Sequence, residues 1–340
     1  MKKKILSVIK FIVPVVLLYY IFTIIDFDRL WQVFLQSNKA FVALAFLSFP
    51  IKYLFFTIRW KIILKLFSDI DMSFFDLYKI IYKGLFFGYF VPGSLGVDVY
   101  RVAKLKHTKT INLNLALIFL EKIIGIVVCA FFVFIFFEAV PVSLSPHFRS
   151  IKTIMKLLVF AIPIVLLLLY LLKSTAIINR FFQYIEFFII RLISVFSKKF
   201  KKNFNLDEGF IQKTLQYIFS PKMILYVLLF SVLNQIVSAV IANNVFLGFG
   251  EHLNISSNLF ANPLLNIFFL LPISFGSIGV REGAYIAIFG LFGVVAEISL
   301  LVSFVFFVST LINISIGGII FLLDKKNNYG KTSNNNWRSR

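Results

Sequence analysis

Apolar residues run along this chain in blocks, separated by shorter polar stretches. A helix needs about 20 apolar residues to cross a bilayer. Six blocks read as full spans: 5–25, 40–58, 111–137, 154–172, 223–247 and 298–323. Two others, 74–97 and 259–296, are as apolar but are broken near the middle by Pro and Gly. Pro removes a backbone donor and Gly loosens the helix, so each broken block is expected as two short arms around a break. The pattern predicts an all-α polytopic membrane protein with about six full spans and two broken hairpins, up to eight helices by hydropathy. The first block follows a basic MKKK start, like a signal peptide. It is too long for a signal core and no small-residue cleavage site follows, so it reads as a retained first span.

Charge orients the blocks. Segments 1–4, 59–65, 101–109, 173–222 and 324–340 hold 24 Lys or Arg, whereas 26–39, 138–150 and 248–258 hold three. Positive charge gathers on the cytoplasmic side, so the basic set is read as cytoplasmic loops, with both termini inside. Block 74–97 then starts and ends inside, and block 259–296 starts and ends outside. Each reads as a re-entrant hairpin, and the two open from opposite faces. The basic stretch 173–222 is expected to lie inside as an amphipathic interfacial helix. The hairpins share a local pattern: Pro92-x-Ser94-x-Gly96 aligns with Pro272-x-Ser274-x-Gly276. A Gly-Val-charge follows in each, Gly96-Val97-Asp98 and Gly279-Val280-Arg281. Paired breaks in two halves point to an inverted repeat with a binding site at the breaks. The domain reading is a transmembrane domain over 1–325 and a polar, basic, disordered cytoplasmic tail over 326–340.

Composition agrees. The 340 residues are 60% hydrophobic, with a mean hydropathy of +0.92, beyond what soluble domains carry. The net charge of +20 is accounted for by cytoplasmic loops, so nucleic acid is not an expected partner. The single cysteine, Cys129, excludes an intramolecular disulfide. His107, His147 and His252 are scattered without metal-ligand spacing, and no metal or cofactor is expected.

Broken backbone at membrane depth must be buried in protein or line a wet cavity, because lipid cannot satisfy its N–H and C=O groups. In the second hairpin Gly276, Gly279 and Gly283 let the chain turn, and a helix is expected to start near Val280. Its amino terminus and Arg281 together suit an anion such as a phosphate. The alternative is that Arg281 and Glu282 pair with other helices and only lock the hairpin. Adjacent helical positions point about 100° apart, so the two need not pair with each other. Ser274 completes the candidate site there. In the first hairpin, Pro92, Gly93 and Gly96 form the backbone break, as Pro272, Gly276 and Gly279 do in the second. Asp98 and Arg101 are three apart and share a helix face. Lys104 onward reads as an ordinary basic loop. Glu121 and Lys122 lie inside an apolar block, where a charge costs about 2.5–3.5 kcal/mol on insertion scales. Glu121 is expected to meet Arg281 or Arg101 and is a candidate for a coupling proton. Lys122 is near enough to the end of its block to snorkel. The amides Asn234, Gln235, Asn243, Asn244 and Asn313 are expected to join helices.

The stretches "VPGSLGVDVYR" (91–101), "LEK" (120–122) and "LPISFGSIGVRE" (271–282) resemble the lysylphosphatidylglycerol synthase transmembrane region family, over about residues 5–325. That family's first motif often has Gly-Gly-Asp where Gly96-Val97-Asp98 stands. Its intramembrane acidic residue is often followed by Arg, where Lys122 stands. The resemblance implies lipid translocation. Members that flip aminoacylated phosphatidylglycerol carry a soluble aminoacyltransferase domain after the membrane part. The chain ends in a short polar tail, so lysyltransferase activity is not expected. Stand-alone relatives are linked to glycolipid or polyprenyl-linked sugar pathways.

The resulting expectation is a lipid flippase or transporter of the cytoplasmic membrane, moving a phospholipid, aminoacyl-lipid or glycolipid with a polar head. Its partners would be membrane lipids with anionic phosphate heads, together with enzymes of envelope-lipid synthesis. Arg281 and the helix start hold the phosphate, Arg101 takes the matching role, and Glu121, Asp98 and Glu282 balance charge. Two alternatives remain. One is a lipid-linked glycosyltransferase using Asp26 and Asp28, just outside the first span. The other is a non-transporting accessory protein of envelope-lipid synthesis.

Overall fold

A computed structural model describes residues 19–67, 71–89, 96–105, 111–141, 221–270 and 279–337. Pro92, Gly93 and Ser94 of the first break lie outside the described residues. So do Pro272, Ser274 and Gly276 of the second, the block 154–172, the expected interfacial helix and most of the first block. All regular structure among the described residues is helical. In order these are α1 (Phe27–Gln36), α2 (Lys39–Phe67), α3 (Phe74–Tyr89), α4 (Gly96–Leu105) and α5 (Ile111–Ile135), the last running into a short 3₁₀ turn. After them come α6 (Pro221–Gly248), α7 (Ile255–Leu270), α8 (Val280–Gly290) and α9 (Ala296–Trp337). Four apolar stretches are long enough to cross a membrane: Lys39–Leu66, Glu121–Ala139, Ile224–Gly248 and Ala296–Asp324. Each falls on a block expected to span.

Local chemistry sets the helix ends. Asp26 caps α1, its carboxylate accepting from the Arg29 N–H at 3.0 Å. Ser73 starts α3, its hydroxyl accepting from the Asp76 N–H at 3.1 Å and donating to the Asp76 carboxylate at 2.6 Å. Beyond α6, Gly250 takes a left-handed φ of 81°, and the Glu251 N–H returns to the Phe246 carbonyl at 2.9 Å.

Both broken blocks are pairs of helical arms, α3–α4 and α7–α8, with the Pro/Gly segment between them. Charge counting reads 26–39, 59–65 and 101–109 as loops, and the structure corrects all three. Residues 27–36 form α1, whose Trp31, Phe34 and Leu35 are exposed, as in a helix lying at an interface. Helix α2 continues unbroken to Phe67, and α4 reaches Leu105. The physical reason is burial: Trp60 and Leu64 pack with Leu77, Ile81 and Leu105 in a core between α2, α3 and α4. The basic residues among them are helical positions at the edge of that core.

The larger core joins α2, α6, α7, α8 and α9, with ring pairs such as Phe246–Phe289 at 4.5 Å and Phe49–Phe306 at 5.4 Å. The two halves interlock. Helix α3 packs on α9, and α7 packs on α5. Helix α2 packs on α9, and α6 on α5, while α2 and α6 pack on each other. Exchanging α2 with α6, α3 with α7, α4 with α8 and α5 with α9 maps α3–α9 onto α7–α5, α2–α9 onto α6–α5 and α2–α6 onto itself. That is the packing expected of two repeats.

Candidate functional site

The first hairpin is closed by contact of backbone on backbone. A Cβ at Gly96 would lie 2.2 Å from the Gly88 Cα, and one at Gly88 would lie 2.8 Å from the Val97 nitrogen. Only glycine at both positions lets α4 lie this close to α3. This fixes where the first turn of α4 points its side chains.

Asp98 and Arg101 share a face of α4, as their spacing requires, and Arg101 Nη1 donates to Asp98 Oδ1 at 3.2 Å. Arg101 is fully buried. Its guanidinium lies over the Trp60 ring at 4.4 Å and the Phe56 ring at 4.8 Å. It also forks onto Glu121 Oε2 of α5, with Nη1 at 3.1 Å and Nη2 at 3.0 Å. Glu121 therefore meets Arg101, one of its two expected partners. Arg59 of α2 reaches the same oxygen at 3.4 Å, and its Nη1 donates to Ser231 Oγ of α6 at 3.2 Å. Lys122 donates to Asp98 Oδ2 at 2.9 Å, so its ammonium turns into the protein where the sequence favoured snorkelling. Four helices thus converge on two carboxylates and three cations. Such a network is stable in a low dielectric only if the charges are paired, and the pairing here is dense. It is still incomplete: Glu121 Oε1, Arg59 Nε and Arg101 Nε are buried without a hydrogen-bond partner among the described residues.

Beside this network lies a cavity of about 290 Å³. Asp98, Glu121, Lys122, Arg59 and Lys52 of α2 line it. So do the amides of Asn234, Gln235 and Asn266. Val97 and Asp98 follow the first break, and Leu270 is the last described residue before the second. The Gln235 amide donates to Cys129 Sγ at 3.0 Å and accepts from Asn266 at 3.3 Å, tying α6 to α5 and α7. Asn258 to Asn243, at 3.2 Å, ties α7 to α6. The Tyr82 hydroxyl donating to Asn313, at 2.9 Å, ties α3 to α9. These amides act as helix joints.

The second hairpin is organised differently. Helix α8 starts at Val280 after Gly279, whose φ of 78° only glycine adopts readily. Glu282 Oε2 accepts from the Gly279 N–H at 2.6 Å, so the helix start already holds a carboxylate. Arg281 Nε and Nη2 both donate to Glu282 Oε1, at 3.1 and 2.7 Å. Its guanidinium lies over the Phe307 ring of α9 at 4.3 Å. The adjacent pair, which helical geometry leaves free to diverge, pairs with itself because the long Arg281 side chain curls back. Arg281 and Glu282 do not line the cavity. A Cβ at Gly283 would meet nothing within 4 Å, so no group approaches the backbone there among the described residues.

Lys52, Arg59 and Ser231 are absent from the set of site residues read from the sequence. Arg59 resembles a loop charge, and Ser231 carries no signal. Lys52 did carry one: it is a charge in mid-block, the same feature that singles out Glu121. Asp26, the carboxylate considered for glycosyl transfer, is occupied in capping α1.

The family model described as the lysylphosphatidylglycerol synthase TM region matches residues 7–318, and the chain belongs to that family. No curated protein and no solved structure matches it.

Proposed function

We propose that this member of the lysylphosphatidylglycerol synthase transmembrane family moves a polar-headed lipid across the bilayer, with the lipid's phosphate held in the cavity between the two hairpin breaks. Membership and the four span-length helices make it a multi-pass membrane protein of lipid-related envelope biology. The observation that supports transport is the cavity itself. Charged side chains and amides line about 290 Å³ of space among apolar spans, together with Val97 and Leu270 from the arms on either side of the Pro/Gly segments. A polar pocket between such spans suits a head group whose acyl chains remain in lipid. Arg59, Lys122 and Arg101 supply positive charge, Asp98 and Glu121 hold those cations in place, and the paired breaks supply the joints at which the two halves rock. In this reading Arg281 and Glu282 brace the second hairpin against α9, and the cationic role belongs to the first hairpin and α2.

The test is transport by the full chain in vesicles carrying fluorescent phosphatidylglycerol, its lysyl derivative or a polyprenyl phosphate. Dithionite added outside quenches only the outer leaflet. The expected result is loss of the shielded fraction for at least one lipid, relative to protein-free vesicles. Retention of the shielded fraction for every lipid in the panel would overturn the proposal.

A further inference from the structure

Lys52 lies in the middle of the span Lys39–Leu66 and faces the cavity. A mid-span charge costs about 2.5–3.5 kcal/mol on insertion scales unless a partner or water meets it. Among the described residues no carboxylate pairs with Lys52. The two carboxylates of the cavity are committed elsewhere. Asp98 takes Arg101 on one oxygen and Lys122 on the other. Glu121 takes Arg101 and Arg59 on the same oxygen. Among the described residues, Lys52, Arg59, Lys122 and the Arg101 just behind the wall stand against Asp98 and Glu121, an excess of two positive charges. An ammonium brought into this space meets like charge: Asp98 is bridged on both oxygens, and the unpartnered Glu121 Oε1 is itself buried. A phosphate meets an unmatched ammonium. The lining also holds neutral groups: Asn234 and Asn266 offer amide donors and acceptors suited to hydroxyl groups.

We infer that the cavity selects a lipid phosphate ester whose head group carries hydroxyls and no positive charge, with Lys52 as its phosphate ligand, and disfavours an aminoacylated, cationic head. This rests on the lipid-transport reading above and narrows its substrate class. It separates this chain's substrate from the aminoacyl lipid in the family's description. Lysine binds phosphate as a point charge, so arginine at this position keeps the interaction and an apolar side chain removes it.

The experiment is competitive lipid binding to the purified full chain, read by native mass spectrometry. The probes are phosphatidylglycerol, lysyl-phosphatidylglycerol and phosphatidylethanolamine, with soluble glycerol phosphate and inorganic phosphate as competitors. Phosphatidylglycerol should bind about tenfold tighter than its lysyl derivative, the scale of one charge-assisted hydrogen bond. Lys52→Met should lose that advantage, and it removes a charge from a span, which eases insertion. Lys52→Arg should keep most of it. Wild-type binding of the lysyl lipid as tight as or tighter than phosphatidylglycerol would overturn the selectivity, whatever the variants do. Full phosphatidylglycerol binding by a folded Lys52→Met would overturn Lys52 as the ligand. Displacement of the lipid by soluble phosphate at equal concentration would reassign the site to a free phosphate and overturn the lipid assignment. The parent reading fails separately: vesicles that move no lipid, with this binding order intact, remove transport and leave the selectivity. Equal transport and equal binding of both lipids remove the selectivity and leave transport.

Discussion

The two hairpins share a motif, and they spend their charges in opposite ways. The first sends Asp98 and Arg101 across to α5 and α2, where they meet Glu121, Lys122 and Arg59 beside a cavity. The second keeps its charges at home, with Arg281 on Glu282 and Glu282 on its own helix start. The packing of the arms tracks this difference. The first hairpin is pinched shut at Gly88 and Gly96, where a side chain would collide with backbone. At the positions that the aligned prolines match to Gly84 and Gly88, the second has Leu264 and Phe268, and Gly283 on its other arm meets nothing within 4 Å among the described residues. In the first hairpin the charges join helices across the fold, and in the second they stay on one helix.

Glu121→Gln should break this contrast most. It leaves Arg59 and Arg101 buried without their shared counter-charge, a loss of about 3–5 kcal/mol. Unfolding of the purified protein measures it, and a loss no larger than that of Glu282→Gln would erase the distinction between the hairpins. Next comes Gly96→Ala. Its Cβ would have to push α4 away from α3, at about 1–3 kcal/mol by the usual cost of overpacking, read in the same unfolding experiment. Glu282→Gln should cost about 1 kcal/mol: the amide oxygen can still cap the helix start, and the loss is that of the charge paired with Arg281. Because this pair does not line the cavity, lipid binding by that variant should match wild type, and a matching loss of binding would move the second hairpin into the site. The smallest effect should be Gly283→Ala. Its Cβ meets nothing within 4 Å in a helix interior, so a gain of about 0.5–1 kcal/mol is expected from helix propensity. A loss there would show that something approaches α8 at that point.

Much of the architecture was legible in the residue pattern because its causes are local. Hydropathy over twenty residues marks a span, and Pro and Gly mark a break, whatever packs beside them. The Asp98–Arg101 pair was legible for the same reason, since a three-residue spacing on a helix is a contact by itself. The amides were legible as joints, because a side-chain amide in a span needs a partner from another helix.

Partner choice was decided only by the tertiary structure. Nothing in the sequence says that Glu121 meets Arg59 and Arg101 and not Arg281, because that depends on α5 lying against α4 and α6. Arg59 resembled a cytoplasmic charge until the burial of Trp60 and Leu64 carried α2 past it. Arg281 resembled an anion ligand until its guanidinium was seen to fold back on its neighbour and settle over Phe307. Lys52 was visible as an anomaly in an apolar block, but an anomaly has no meaning until the space beside it is known. The sequence determined which segments enter the membrane and where they break, since those follow from short-range chemistry. Which charges share one dielectric environment, and which remain unmatched in a cavity, follows from distances across the fold that no local pattern encodes.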